Sequence, residues 1–378
     1  MSTCQGDASD NTTQESINQS EYPGDQETQL AGSIIVQYLL ENVAEFRQLT
    51  ELRQQGWSNP EGDRFFRKQR HDADSTDKKT ARMFYKMMKT IGQEMHQSTR
   101  ALAIPKMVAN SPTILDMCMA PGGFLDTTLK MNPGAHALGF SLPVSKGGHR
   151  TLLRRDPNVT LRFLDVTMLA EDMGLTDVPA EHPDTKNLLL QQFEPGQRFD
   201  LVLCDGKVLR THVRAAYREL REARRLTVTQ LALGLEHVKV GGTMVVLLHK
   251  VEHWNTVSLL YKFSKFSSLK LFKPAPQHAK RSSFYMIATN VQSQHGEAVR
   301  AVERWKREWK VATFGTDEEY EALRAPGLGA EEVLGGFGSE LVRLGREVWG
   351  IQARALEKAP FIKKRRTAGV RVGPVTAA

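Results

Sequence analysis

The sequence predicts an α/β fold: an open, mainly parallel sheet with helices on both faces. Three observations carry that expectation. Apolar runs at 113–118, 136–141, 159–164, 199–204, 242–248, 268–272 and 283–290 read as seven strands. The segments between them are long enough for helices, notably 213–238. The first run ends at Asp116 and is followed by Pro121-Gly122-Gly123. A strand, a glycine-rich turn and a helix start form the corner where α/β sheets hold nucleotide ligands. Residues 170–198 are long for a connection and read as an inserted loop with one helical turn.

Outside this core the elements follow in order. Residues 1–30 hold six acids and no Lys or Arg, with few apolar groups, and are expected to be a disordered acidic tail. Ser33 caps a helix to about Gly56, with Val36, Leu39, Leu40, Val43 and Phe46 on one face. Residues 64–95 are basic and aromatic; from Lys78 they read as a helix with Met83, Met87 and Ile91 on one side. Alternating cations and rings suit RNA, and a solvated basic face is the plain alternative. Beyond Asn290, Ala298, Val302, Trp305 and Trp309 keep helical spacing and are expected in the core. Ser339 starts a last helix, and Phe361 opens a basic tail. The expected division is a tail to 30, a helical extension 31–98, a catalytic domain 99–292, a second helical extension 293–360 and a disordered tail 361–378.

Composition narrows the class. Hydrophobic content of 40% and charged content of 25% are ordinary for a globular protein. No apolar run reaches the length of a membrane span, and neither a secretory signal nor an Arg-rich transit pattern opens the chain. Three cysteines make no disulfide framework, and no Cys/His spacing suits a metal. An intracellular protein of nucleus or cytoplasm is expected, without metal or membrane. The net charge is +8, and +14 once residues 1–30 are set aside, which favours a polyanionic partner such as RNA over solubility alone.

The chemistry-bearing stretches are Asp116–Phe124 and Asp200–Asp205. The first lacks the GxGxxG spacing of dinucleotide sites. Together with Arg82-Met83-Phe84-Tyr85-Lys86, with Gly241-Gly242 and its strand, and with Lys273-Pro274 followed by Ser282–Ala288, they are similar to motifs of the FtsJ-like RNA 2′-O-methyltransferases. The resemblance runs from about Lys79 to Asn290. It implies a seven-stranded Rossmann-like methyltransferase sheet with N- and C-terminal helical extensions, S-adenosylmethionine as cofactor, and RNA as substrate. It also implies a Lys-Asp-Lys-Glu tetrad. Lys86 and Asp205 match its first Lys and its Asp, but Leu247 and Ser283 stand at the second Lys and the Glu. Lys250, just past the strand end, is the expected replacement, with His249, Glu252 and His253 as other proton acceptors.

On the cofactor side the resemblance assigns Gly122, Gly123 and Phe124 to the methionine end, Asp116 to orienting that turn, and Asp165 to the adenine amino group. Ser141 stands where an acid would take both ribose hydroxyls. The loop 206–212 and Arg214, Arg218, Arg221, Arg224 and Arg225 are a candidate substrate face, with pairing to Glu219 and Glu222 as the alternative. A catalytically silent RNA-binding scaffold on the same fold is the rival reading. A methyltransferase acting on protein or a small molecule is a third.

Overall fold

The computed structural model describes residues 23–74, 77–105, 111–209, 211–324 and 328–362. Strands β1 (Thr113–Asp116), β2 (His136–Ser141), β3 (Val159–Phe163), β4 (Phe199–Cys204), β5 (Val238–His249), β6 (Ser268–Phe272) and β7 (Ser283–Val291) form one sheet. Its order is β3-β2-β1-β4-β5-β7-β6. β1 to β5 run parallel, and β7 lies antiparallel between β5 and β6. All seven strand expectations therefore fall in one Rossmann-like sheet.

Helices cover both faces: α1 (Pro23–Asn42), α2 (Ala44–Trp57), α3 (Pro60–Asp74), α4 (Lys78–Thr99), α5 (Gly123–Met131), α6 (Glu222–His237), α7 (Trp254–Ser264), α8 (Gly296–Phe314), α9 (Asp317–Arg324) and α10 (Ala330–Glu357). Alternate strand residues point to opposite faces. Ile114, Leu201, Leu203, Val245 and Ile287 pack with Ile91 and Met95 of α4 and Leu125 of α5. Leu115, Val202, Met244, Val246 and Met286 pack the other way, against α6, α7 and α8. That second core continues into Ile35, Leu39, Phe46 and Trp349, so the terminal extensions share the sheet's own core. Burying each such side chain contributes about 1.5–3 kcal/mol. Trp305 and Trp309 are core residues, as their spacing predicts.

Several boundaries differ from expectation. Residues 23–30 are helical, and the helix read over 33–56 is two helices broken at Val43. Val43 is extended (φ −132°) and fully buried, so its side chain enters the core where the backbone turns. Residues 60–74 form a helix that Pro60 can start, because its missing N–H would be unpaired there anyway. The last helix starts at Ala330 rather than Ser339, because Val333 and Phe337 carry the apolar stripe a further turn and more. Phe361 and Ile362 are buried rather than in a loose tail, with the Phe361 ring 5.4 Å from Phe65 and 5.9 Å from Phe66. The rest of that tail, 363–378, and the first 22 residues lie outside the described residues. The 170–198 segment holds turns and no helix.

Candidate active site

The strand order reverses between β1 and β4, and an open α/β sheet binds ligands outside the carboxyl ends of its strands at such a point. Asp116 ends β1 opposite Leu203, and Asp205 follows the last residue of β4. A cavity of about 240 Å³ opens there. Gly122 takes the left-handed conformation (φ 102°) after a cis Ala120–Pro121 bond, and α5 starts at Gly123. A Cβ on Gly123 would stand 2.4 Å from the Tyr85 carbonyl oxygen and 2.7 Å from Met88 Cβ. The second glycine is thus what lets α4 cross the turn. α4 in return lines the cavity with Phe84, Met87, Met88 and Ile91.

Two carboxylates dominate the electrostatics. Asp116 is 1% exposed, and its Oδ1 accepts from the Cys118 N–H at 3.3 Å. Burial and the neighbouring Asp205 charge push its carboxyl well above the usual range. Burial pushes Asp205 up to about 7, opposed by the Asp205 backbone hydrogen bond and by Lys207. Burial and the same Asp205 charge raise the Tyr285 phenol. Ionising both acids in one desolvated corner costs free energy that a cationic ligand would offset.

On the cofactor side, Phe124, Ser141, Asp165 and Asp205 line the cavity; Gly122, Gly123 and Asp116 form the turn and strand end behind it. Asp165 is already engaged. Its Oδ2 accepts from Arg218 at 2.7 Å, and its Oδ1 accepts from the Thr167 N–H and hydroxyl. Burial would raise this carboxyl, but Arg218 and those hydrogen bonds hold it below the usual range. His149 also lines the cavity, and its Nδ1 is buried with no hydrogen-bond partner.

Of the four tetrad positions, Asp205 and Leu247 line the cavity, and Lys86 and Ser283 do not. Lys86 is exposed and lines no described cavity, because Phe84, Met87, Met88 and Ile91 take the inward face of α4. Lys250 is left-handed (φ 52°), its N–H donates to the Ser282 carbonyl, and it does not line the cavity either. Ser283 opens β7 opposite His249. Glu252 is an ion-pair partner rather than a free base: Arg53 Nη1 donates to it at 2.6 Å and Trp349 Nε1 at 3.2 Å. Leu247, opposite Tyr285 in the β5–β7 ladder, occupies the cavity wall instead of a lysine.

What the cavity does hold beside Asp205 is Lys207, two residues on. Much of its side chain is exposed, yet the surrounding protein lowers its pKa by desolvation, against the pull of Asp205. His278 lines the cavity from the β6–β7 loop, and burial with Arg281 and Lys273 beside it pushes its imidazole down to about 4. Lys273 is 3% exposed and ties that loop together by donating to the carbonyls of His278, Arg281 and Ser283. The arginines of the segment 214–225 are engaged with acids, Arg214 with Glu219 and Arg224 with Glu308 among them. Arg218, Arg221 and Arg225 are buried and paired with Glu222, Asp165 and Asp317.

The sequence marks Lys207 and His212 only as members of a basic loop, and gives no sign of His149 and His278. The signal for Lys207 was its place directly after Asp205-Gly206. The histidines carried no local pattern, since three separate loops bring them to one cavity.

Residues 81–291 match the family model described as FtsJ-like methyltransferase. A similar protein is the cap-specific mRNA (nucleoside-2′-O-)-methyltransferase of Autographa californica nuclear polyhedrosis virus, 28% identical over 180 residues. The match covers 47% of this chain and 64% of that relative, so it spans less than two thirds of the relative's length. Among solved structures, the N-methyltransferase NodS from Bradyrhizobium japonicum, in complex with S-adenosylhomocysteine, aligns with TM-score 0.32 and 14% identity, over 52% of this chain and 86% of that one. Human methyltransferase-like protein 13, also with S-adenosylhomocysteine, gives TM-score 0.33 and 11% identity, over 57% and 91%. At these scores the solved structures add nothing to the topology above.

Proposed function

The chain belongs to the FtsJ-like methyltransferase family, and on that premise we propose that it transfers a methyl group from S-adenosylmethionine to a ribose 2′-hydroxyl of RNA. The observation that carries this reading is Asp205 at the end of β4, sharing one cavity with Lys207 beneath the Pro121-Gly122-Gly123 turn. The ribose of an mRNA cap nucleotide enters through the viral relative's name, and the excess of cations over acids agrees with RNA.

The donor set suits the cofactor. Asp116 and Asp205 are desolvated acids with raised pKa values; Asp205 lines the cavity with Asp116 behind it, and of the lining cations Arg218 is already paired with Asp165 and Glu222 while Lys207 stands beside Asp205. The unpartnered His149 Nδ1 and the Ser141 hydroxyl are free to hydrogen-bond a ligand. When bound, S-adenosylmethionine supplies a methyl group on a positively charged sulfur. The residues of this chain do the rest. Asp116 and Asp205 stabilise that positive charge in a low-dielectric corner. Met87, Met88 and Phe124 exclude water and hold the reacting groups in line. Lys207, deprotonated more readily than a free lysine, would accept the hydroxyl proton released when the methyl group leaves the sulfur for the ribose oxygen.

The test is transfer of tritiated methyl to capped and uncapped RNA, followed by alkaline hydrolysis. A 2′-O-methyl group blocks cleavage at its nucleotide, so label is expected in an alkali-resistant dinucleotide. Label on a base would overturn the ribose assignment. Cofactor binding by calorimetry without any transfer would establish the silent scaffold, which Leu247 and Ser283 favour.

A further inference from the structure

A second hollow of about 580 Å³ opens beside the active-site cavity and shares Phe84, Met87 and His278 with it. One wall is α4, one is the β6–β7 loop from Ala275 to Arg281, and the third is the end of α10, with Ile351, Arg354 and Ala355, and Lys358 just after it. Four cations line it, Lys280, Arg281, Arg354 and Lys358, and no Asp or Glu does. Arg281 finds only a neutral partner there, donating from Nε to Gln69 Oε1 at 3.0 Å, and burial lowers its pKa. Lys280 stands over the Phe65 ring, 5.6 Å from its centroid. Arg354 and Lys358 are exposed and one helical turn apart, so they point the same way. The floor is Met83, Phe84, Met87 and Ile351, apolar and in part aromatic.

A surface with an unbalanced set of cations around an apolar floor matches a nucleotide, whose phosphates need cations and whose base needs a face to stack on. We propose that this hollow holds the RNA strand next to the nucleotide whose ribose enters the active-site cavity, with Arg354 and Lys358 on its phosphates. The assignment rests on the RNA reading above. Two of its four cations, Arg354 of α10 and Lys358 just after it, lie beyond the matched residues 81–291, so the C-terminal extension is part of substrate recognition. Shared Phe84, Met87 and His278 set the two hollows side by side.

The experiment measures binding of a fluorescent single-stranded 12-nucleotide RNA to the full chain, across a salt series, for wild type, Arg354→Glu/Lys358→Glu and Lys310→Glu. Lys310 is an exposed lysine on α8 that lines no described cavity. The double variant is expected to bind at least about tenfold more weakly, with a log–log salt slope shallower by about 1.4, as the loss of two single-strand phosphate contacts requires. Lys310→Glu should bind as wild type, and cofactor binding by calorimetry should match in all three. Equal RNA binding by the double variant would overturn the site while leaving the RNA reading intact. An equal loss in Lys310→Glu would overturn it in favour of net charge. Polyglutamate competing as well as RNA would make the hollow a docking place for acidic peptide instead. No RNA binding by the wild type would remove the RNA reading and the site together.

Discussion

The two sides of the active-site cavity are built on different terms. The side made by β1, β2 and β4 keeps its turn, its two acids and its glycines. The side made by β5 and β7 presents Leu247 and Tyr285, with Ser283 at the strand start. The difference follows from what each side asks of the backbone. A Cβ at Gly123 would collide with α4, so the cofactor turn is bound up with the packing of a whole helix. Position 247 is one side chain in an unbroken ladder, and leucine pairs across to Tyr285 without disturbing the strand. A fold can therefore lose tetrad side chains and keep its cofactor corner.

The sharpest way to break that contrast is to ask which lysine matters. Lys207→Met is expected to lower kcat for methyl transfer about 10²–10⁴-fold, the range for losing a positioned base. Its cofactor Kd should change little. Lys86→Ala and Lys250→Ala, whose side chains line no described cavity, should stay within about threefold of wild-type kcat, the spread of a context effect. Single-turnover rates with calorimetry check both halves. A large loss in Lys250→Ala with none in Lys207→Met would return the role to the strand-end lysine.

The reaction side, with Leu247 and Ser283 in place of two tetrad residues, is braced by the extensions. Arg53 of α2 donates to Glu252 at 2.6 Å, to Gln352 at 3.0 Å and to the Ser282 hydroxyl at 3.2 Å. This network joins α2, α10, the turn after β5 and the β6–β7 loop that carries His278. Arg53→Ala leaves Glu252 buried and unpaired, which should cost about 3–5 kcal/mol in chemical denaturation. Removing both charges with Arg53→Met/Glu252→Gln should recover much of that loss. Equal destabilisation by the pair would show that packing, not the uncompensated charge, sets the cost.

The cofactor side should show itself in pH. Asp205 has a folded pKa of about 7, against 3.8 for an ordinary aspartate. Between those values the folded chain holds a proton that the unfolded chain has released, so stability falls as pH rises from about 4 through 7 and then levels. At pH 8 Asp205→Asn should be more stable than wild type by up to about 4 kcal/mol, three pKa units at 1.36 each. A cationic ligand favours the ionised acid, so cofactor affinity should rise through pH 7 with release of a proton. Calorimetry in two buffers of different ionisation enthalpy reads that proton directly. A pH-independent affinity would show that Asp205 does not meet the cofactor's charge.

Much of the fold was legible because strands and their polar ends are local signals. Seven apolar runs and the Asp116–Phe124 corner were enough to place the sheet. The α10 start was hidden because Gly335, Gly336 and Gly338 read as breakers, whereas Val333 and Phe337 continue its buried stripe. Phe361 looked like the head of a basic tail because its partners, Phe65 and Phe66, lie some three hundred residues away in sequence. Within the site, carrying motifs over by register found Asp205, Leu247 and Ser283. Register could not say which face of α4 looks inward, and that places Lys86 in solvent. Nor could it show that Asp165 is already held by Arg218, an ion pair between two loops fifty-three residues apart.

The smallest expected effect tests whether Ser141 marks a weakened cofactor contact. It is 4% exposed, ends β2 and lines the cavity. A single hydroxyl makes one hydrogen bond where a carboxylate would accept two from a ribose diol. Ser141→Asp should therefore tighten cofactor binding about tenfold, the worth of one charge-assisted hydrogen bond. The same change adds an acid to a cavity that already holds Asp165, Asp205 and Glu222, so the cofactor-free chain should melt earlier while the bound chain recovers the difference. Those opposite shifts separate a ligand contact from a packing effect. If cofactor binding weakens along with the melting temperature, the ribose lies elsewhere in the cavity, and His149 becomes the group to substitute next.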